Sequence, residues 1–208
     1  MAPQRQITAI ILAAGLSSRM RRFKPLLDLG GATVLERVVR AFQRGGVADV
    51  RVVLGHRAED MLPLLPALEA RPVLNPRFQE GMFSSVQAGL ASLDQSTEAF
   101  FMHPVDIALI SHATVAALMQ AWTLGRPEVV YPCHQGRRGH PPLIAGSLIA
   151  EIMAWPGQGG LKALLRRHEN AAVLLDVPDP YILRDMDEPS DYQELAAAWR
   201  RRQSALPD

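Results

Sequence analysis

The sequence predicts an α/β protein: a single domain of Rossmann-like type, with a mostly parallel sheet covered by helices on both faces. Three observations carry this. Short apolar runs rich in β-branched residues, at 7–12, 50–54, 99–102, 129–133 and 172–175, alternate with segments of helical spacing, the rhythm that parallel crossovers require. No internal repeat and no linker interrupts it. A chain of 208 residues, 48% of them hydrophobic, is long enough for one well-buried domain and short for two. The expected domain is therefore 1–208, with a frayed tail over about 200–208.

The first strand, 7–12, runs into a small-residue loop. Thr33-Val-Leu-Glu36 has capping-box spacing and opens a helix through about Gln43, with Val34, Leu35, Val38, Val39 and Phe42 on one face. Gly45-Gly46 ends it. Residues 58–70 are helical in character, but Pro63 and Pro66 reduce them to short turns. A third strand, 73–75, ends on Asn75, and a helix follows from Gly81 on the hydroxyl pair Ser84 and Ser85. Ser111 or His112 begins a helix through about Trp122. The loop 135–142 is rich in glycine and cations, 147–155 is an amphipathic helix, and Gly159-Gly160 frees backbone at a further helix start. After the last strand, Pro178 and Pro180 lead to an acidic run and a final helix that starts with Pro189 and Ser190-x-x-Gln193 in capping positions and closes over 196–202.

Composition excludes several classes. A net charge of +1 lacks the basic excess of a general nucleic-acid binder. The lone Cys133 permits no internal disulfide and points to a reducing compartment. Arg5, an apolar stretch and small residues imitate a signal peptide, but Arg19, Arg21, Arg22 and Lys24 follow at once. No apolar run is long enough to cross a bilayer. The expectation is a soluble, cytoplasmic protein. Cys133, His134 and His140 lack the paired spacing of a zinc site.

The chemistry is concentrated in residues 7–27. A buried strand that opens into Ala13, Ala14 and Gly15, with hydroxyls at Ser17 and Ser18, brings bare backbone N–H groups against a phosphate chain. The cations that follow neutralise it. A P-loop is excluded, because Met20 and Arg21 stand where Gly-Lys is needed. The dinucleotide fingerprint of NAD-dependent oxidoreductases needs three glycines, and Gly15 stands alone. Of 22 basic residues, all but Lys24 and Lys162 are arginines, so a compact point charge has been kept within the loop.

Leu12-Ala13-Ala14-Gly15, Ser17, Arg19-Met20 and Lys24-Pro25-Leu26-Leu27 together resemble the signature of nucleotidyltransferases, in the MobA-like group that includes the molybdenum cofactor cytidylyltransferases and guanylyltransferases. The resemblance spans nearly the full chain. It departs at Arg21, where the family usually has Gly, at Val105 and Ala108 around Asp106, and at Gln158. It implies a nucleotide site of Leu12, Ala13, Ala14, Gly15, Ser17, Arg19 and Lys24, with Ser85 against the base and Asn75 as a base contact. It implies Mg²⁺ on Asp106 and on Asp187, with Asp185 as the alternative to the latter. It places His140 and Lys162 on the acceptor side, where each is also readable as a turn residue or a surface lysine.

The implied reaction moves a nucleoside monophosphate onto a phosphorylated acceptor, with Lys24, Arg19 and Asp106 as the catalytic groups. Ala14 favours CTP over GTP, because a methyl there narrows the space against the base. The implied acceptor is molybdopterin cofactor, its product passing to a molybdoenzyme; a sugar phosphate stays open. A non-catalytic nucleotide- or cofactor-binding accessory protein is the competing class, and retention of both Asp106 and Asp187 argues against it.

Overall fold

The computed structural model describes residues 7–204. One sheet of eight strands organises it: β1 (Ile7–Leu12), β2 (Asp49–Leu54), β3 (Arg71–Leu74), β4 (Ala99–Pro104), β5 (Val129–His134), β6 (Arg137–Arg138), β7 (Leu143–Ala145) and β8 (Ala172–Asp176). Their order is β3-β2-β1-β4-β7-β5-β6, with β8 paired to β5. The β1–β4 group is parallel throughout, as is the β5–β8 pair. The strand β7 runs antiparallel to both β4 and β5. The sheet is thus mostly parallel, as expected, with two short reversed strands, β7 and, antiparallel to β5 at the edge, β6, each too short to announce itself as a period.

Among the described residues, seven α-helices accompany the sheet: α1 (Val34–Arg44), α2 (Ala58–Met61), α3 (Met82–Ala91), α4 (His112–Gly125), α5 (Ile149–Ala154), α6 (Gly160–Leu165) and α7 (Pro189–Ser204). All six residues of β1 are buried, because both faces of the strand are covered. Ala9 and Ile11 join a core with Val38, Val115 and Leu195. Ile10 and Leu12 join a second core with Val86, Ile152 and Leu164. On α3, Gly89 permits the close approach, since a Cβ there would stand 2.5 Å from Ile10 Cγ2.

Local signals fix the helix ends. Thr33 Oγ1 accepts from Glu36 N at 3.2 Å and Glu36 Oε2 accepts from Thr33 N at 2.7 Å, a reciprocal cap worth about 1 kcal/mol. Ser111 caps α4 through Ala113 N. Residues 58–70 form α2 and two 3₁₀ turns, as the prolines require. At α7, Ser190 lies inside the first turn rather than capping it. Asp191 Oδ2 instead accepts from Asp187 N at 2.9 Å and Glu188 N at 2.7 Å. The helix continues through Ser204, where fraying was expected from about 200. Arg202 explains this, donating to Leu109 O at 2.9 Å. The rest of that expected tail, 205–208, and Arg5 lie outside the described residues.

The chain steps outward from β1 through β2 to β3, then returns to place β4 on the other side of β1. This makes a topological switch point, the crevice where open α/β sheets hold ligands. Val105 N donates to Leu12 O at 3.1 Å, so the two strand ends that frame the crevice are tied together. Among the described residues, no helix is long and apolar enough to cross a membrane.

Candidate active site

Beyond β1 the main chain stays anchored for two residues. Ala13 N donates to Val53 O at 2.9 Å and His56 N donates to Ala14 O at 3.3 Å. From 15 to 20, no main-chain N–H donates to a main-chain carbonyl among the described residues. The loop is closed by a side chain: Ser17 Oγ accepts from Lys24 N at 3.1 Å. Met20, 2% exposed, pins its centre into the core. Ser17 and Arg21 both adopt φ of 54°, left-handed backbone that costs a non-glycine residue roughly 1–2 kcal/mol. That geometry accounts for the glycine usual after the methionine in the sequences this loop resembles.

Lys24 opens a 3₁₀ turn, Lys24–Leu26, set by Pro25, and is buried. Its Nζ lies 3.2 Å from Asp106 Oδ2 and 2.8 Å from Asp187 Oδ1. Arg19 Nη1 lies 2.7 Å from Asp187 Oδ2. Asp106 arrives two residues beyond β4. Asp187 arrives on the tail that precedes α7, fastened where Met186 N donates to Asp106 O at 3.1 Å. The hydrogen bond from Lys24, with the charges of Lys24 and Arg19, holds the Asp187 carboxyl below the usual carboxylate range against the opposing effect of burial. Asp185 is exposed and lines a separate hollow with Arg184 and Leu195. Asp187 is therefore the carboxylate that joins Asp106.

The pair fits a divalent cation. Two carboxylates that share one ammonium already surround a cationic centre, and Mg²⁺ is commonly held by one or two carboxylates completed by water and phosphate oxygens. Among the described residues there is no cluster of three or more His, Cys, Asp or Glu. A metal here would take its remaining ligands from substrate and solvent.

Under the Asp106 turn lies His103, which the sequence did not single out. It is fully buried, and burial lowers its pKa to about 3. Its Nε2 stands 3.0 Å from Ile107 O, so the neutral ring donates across the turn that carries Asp106. Phe42 packs edge-on against it at 5.2 Å.

Two clefts meet over the ends of β1 and β4. One, of about 320 Å³, is lined by residues 12–18, Lys24, Phe78, Ser85 and Asp106. The other, of about 450 Å³, has an apolar floor of Leu12, Val86 and Met102, and Arg138, His140, Lys162 and Arg166 at its sides. They share Leu12, Met82 and Pro104. The first cleft thus gathers Leu12, Ala13, Ala14, Gly15, Ser17, Lys24, Ser85 and Asp106, while His140 and Lys162 fall together in the second. Asn75 is behind the wall of the first cleft, its side chain bonded to Ser84, Ser85 and Arg77. Arg166 gave no signal in sequence. Arg138 sat in a loop noted only for its charge, and its Nη1 lies 2.8 Å from Glu169 Oε1.

The sequence profile of the MobA-like NTP transferase domain matches residues 9–172, spanning the loop, Lys24 and Asp106. The chain belongs to that family. The molybdenum cofactor cytidylyltransferase of Escherichia coli (strain K12) is 26% identical over 89% of this chain and 93% of that one. Nicotine blue oxidoreductase of Paenarthrobacter nicotinovorans is 30% identical over 87% of this chain and 92% of its own length. A nucleotidyl transferase structure from Methanothermobacter thermautotroptrophicus matches with a TM-score of 0.82 at 24% identity, covering 96% of this chain and all of that one. In this MobA-like chain Asp187 lies beyond the matched segment, yet the fold returns it to Lys24.

Proposed function

We propose that this protein is a magnesium-dependent nucleotidyltransferase that moves CMP from CTP onto a phosphorylated acceptor, molybdopterin cofactor, and releases pyrophosphate. The observation that carries this is the meeting of Lys24, Asp106 and Asp187 beside a loop of unpaired N–H groups.

The chemistry follows from charge. An acceptor phosphate oxygen forms a bond to the α-phosphorus as the bond to the pyrophosphate oxygen breaks. The nucleophile is already ionised, so no proton has to be moved, and positioning with charge stabilisation supplies the rate. The N–H groups of 15–20 and Arg19 bind the β and γ oxygens. Lys24 meets the charge that develops around the α-phosphate. Mg²⁺ on Asp106 and Asp187, when bound, supplies charge neutralisation between the two anions. The second cleft, with its apolar floor and its cations, receives the acceptor, with His140 and Lys162 as contacts. Ala14, against the base side of the first cleft, supports the choice of a small pyrimidine. We place the reaction in the cytoplasm, with a molybdoenzyme taking the product.

The resemblance to an enzyme named as an oxidoreductase favours a second reading, hydride transfer on the same scaffold. The single glycine of the loop speaks against a dinucleotide there. Thermal shift with each of the four nucleoside triphosphates and Mg²⁺ should select CTP by mass action. Labelled CTP with molybdopterin cofactor should then release pyrophosphate only with metal. Stabilisation without release would mark an accessory binding protein. Oxidation of NAD(P)H in place of release would mark the oxidoreductase.

A further inference from the structure

The strand β4 reads Ala-Phe-Phe-Met-His-Pro, and His103 is out of character in that apolar run. It is fully buried, at a place where leucine or phenylalanine would leave no polar atom unmet. Burial lowers its pKa to about 3, with His140 acting in the same direction and the bond to Ile107 opposing. The ring is therefore neutral and carries one N–H. A carbonyl only accepts, so the proton sits on Nε2, 3.0 Å from Ile107 O. The other nitrogen, Nδ1, is then an acceptor, and among the described residues it is buried without a partner. An unmet buried acceptor destabilises a fold. What this histidine obtains in exchange is one bond, to Ile107.

The place where that bond closes gives it a use. Pairing of β4 with β1 ends at Pro104, so Asp106 stands where the ladder no longer guides the chain. The peptide group between Asp106 and Ile107 is held at both polar atoms. Ile107 N donates to Pro104 O at 3.2 Å, and Asp106 O accepts from Met186 N at 3.1 Å. The oxygen of the next peptide group, Ile107 O, is held by the His103 ring. A side chain from the core strand thus closes the turn that carries Asp106, and the same turn fastens the tail that carries Asp187. We infer that His103 is a positioning residue for both carboxylates: by holding Ile107 O it aims Asp106, and through the bond to Met186 also Asp187, at one divalent cation. It touches neither metal nor nucleotide. Groups behind a ligand commonly set its orientation in this way. The inference rests on the metal site of the function proposed above and names what keeps that site in shape.

Three substitutions separate the bond from the bulk of the ring. His103→Gln carries an amide nitrogen as far from the main chain as Nε2, His103→Asn carries it only as far as Nδ1, and His103→Phe fills the space without a donor. Mn²⁺ is titrated into the full chain with CTP present and followed by electron paramagnetic resonance. His103→Phe and His103→Asn should bind the ion about tenfold more weakly than wild type, and His103→Gln should stay within about twofold of it. In turnover the loss should appear in KM for Mg²⁺, with kcat at saturating metal kept within about twofold. Exchange of the Met186 amide, read by nuclear magnetic resonance, should quicken in His103→Phe and His103→Asn and slow again in His103→Gln. Inorganic triphosphate without metal should bind all four proteins alike. A merely structural histidine would give losses that follow urea stability, whatever the donor. If His103→Phe does not fold, His103→Leu, smaller and also without a donor, takes its place. Wild-type Mn²⁺ affinity in the donorless variant, or a loss in His103→Gln as large as in His103→Phe, overturns the inference while the proposed function stands. A wild type that binds no Mn²⁺ with any nucleoside triphosphate overturns the proposed function. The Met186 amide then still reads the turn, and unchanged exchange in the donorless variant overturns the role of His103.

Discussion

Lys24 Nζ lies 2.8 Å from Asp187 Oδ1, across a sequence separation of 163 residues, and the same ammonium reaches Asp106. A buried cation held between two carboxylates does two jobs. It neutralises a charge cluster that would otherwise repel itself in a half-buried crevice. Under the proposed function it also keeps a positive centre where phosphate charge is to be received.

Removal of that centre should stop the chemistry. Lys24→Ala should lower turnover of CTP and acceptor on the order of 100-fold or more, by analogy with loss of one oxyanion donor. Asp106→Ala should do the same with the fold intact. Steady-state pyrophosphate release, beside far-ultraviolet circular dichroism, checks both. Wild-type rates in the two variants would reject the site.

The ammonium and a divalent ion compete for the same two carboxylates. Lys24→Gln should therefore bind Mn²⁺ more tightly than wild type when no nucleotide is present. Titration followed by electron paramagnetic resonance gives the free-ion affinity directly. Equal affinities would show that Lys24 does not hold the place of the metal.

Stability should fall as pH drops below about 6.5, the ordinary histidine value. His103 is buried neutral with a pKa near 3, so between those values the unfolded chain binds a proton that the native one refuses. The slope approaches about 1.4 kcal/mol per pH unit. Asp187 adds a second loss at lower pH. Its native pKa is depressed, so its contribution is complete above the unfolded value and disappears as pH falls through the native one. Urea unfolding across this range should show the His103 slope in wild type and its removal in His103→Gln.

Two backbone positions should respond in opposite directions. Arg21→Gly relieves a φ of 54° and, after the added freedom of the unfolded chain, should stabilise by about 0.5 kcal/mol. Gly89→Ala forces a methyl within 2.5 Å of Ile10 Cγ2 and should cost about 1–3 kcal/mol. Chemical denaturation of both variants measures the difference.

What was legible in the sequence was local. The apolar run 7–12, the Thr33 and Glu36 cap and the stop at Gly45 each depend on neighbours a few residues away, and their spacing states the result. The strand β7 was hidden because three residues give no period, and its direction is set by its partners. Asp185 and Asp187 could not be separated by composition, since both sit in the same acidic run. In the fold Asp187 shares the Lys24 ammonium with Asp106 while Asp185 is exposed, a meeting of parts of the chain that no window spans. Asn75 was expected against the base; the amide bonds to Ser84 and Ser85 put it one layer behind. Arg138 and Arg166 enter the second cleft by the same kind of long-range folding.

The fastening of Met186 to Asp106 also makes the cluster depend on the far end of the chain. The loop and Lys24 draw their anchors from Val53, His56 and Asp106, in the first half of the chain or just beyond it, but the second carboxylate arrives only with the tail. A chain cut short before the tail would thus keep Lys24 and Asp106 but lack the carboxylate that completes their cluster.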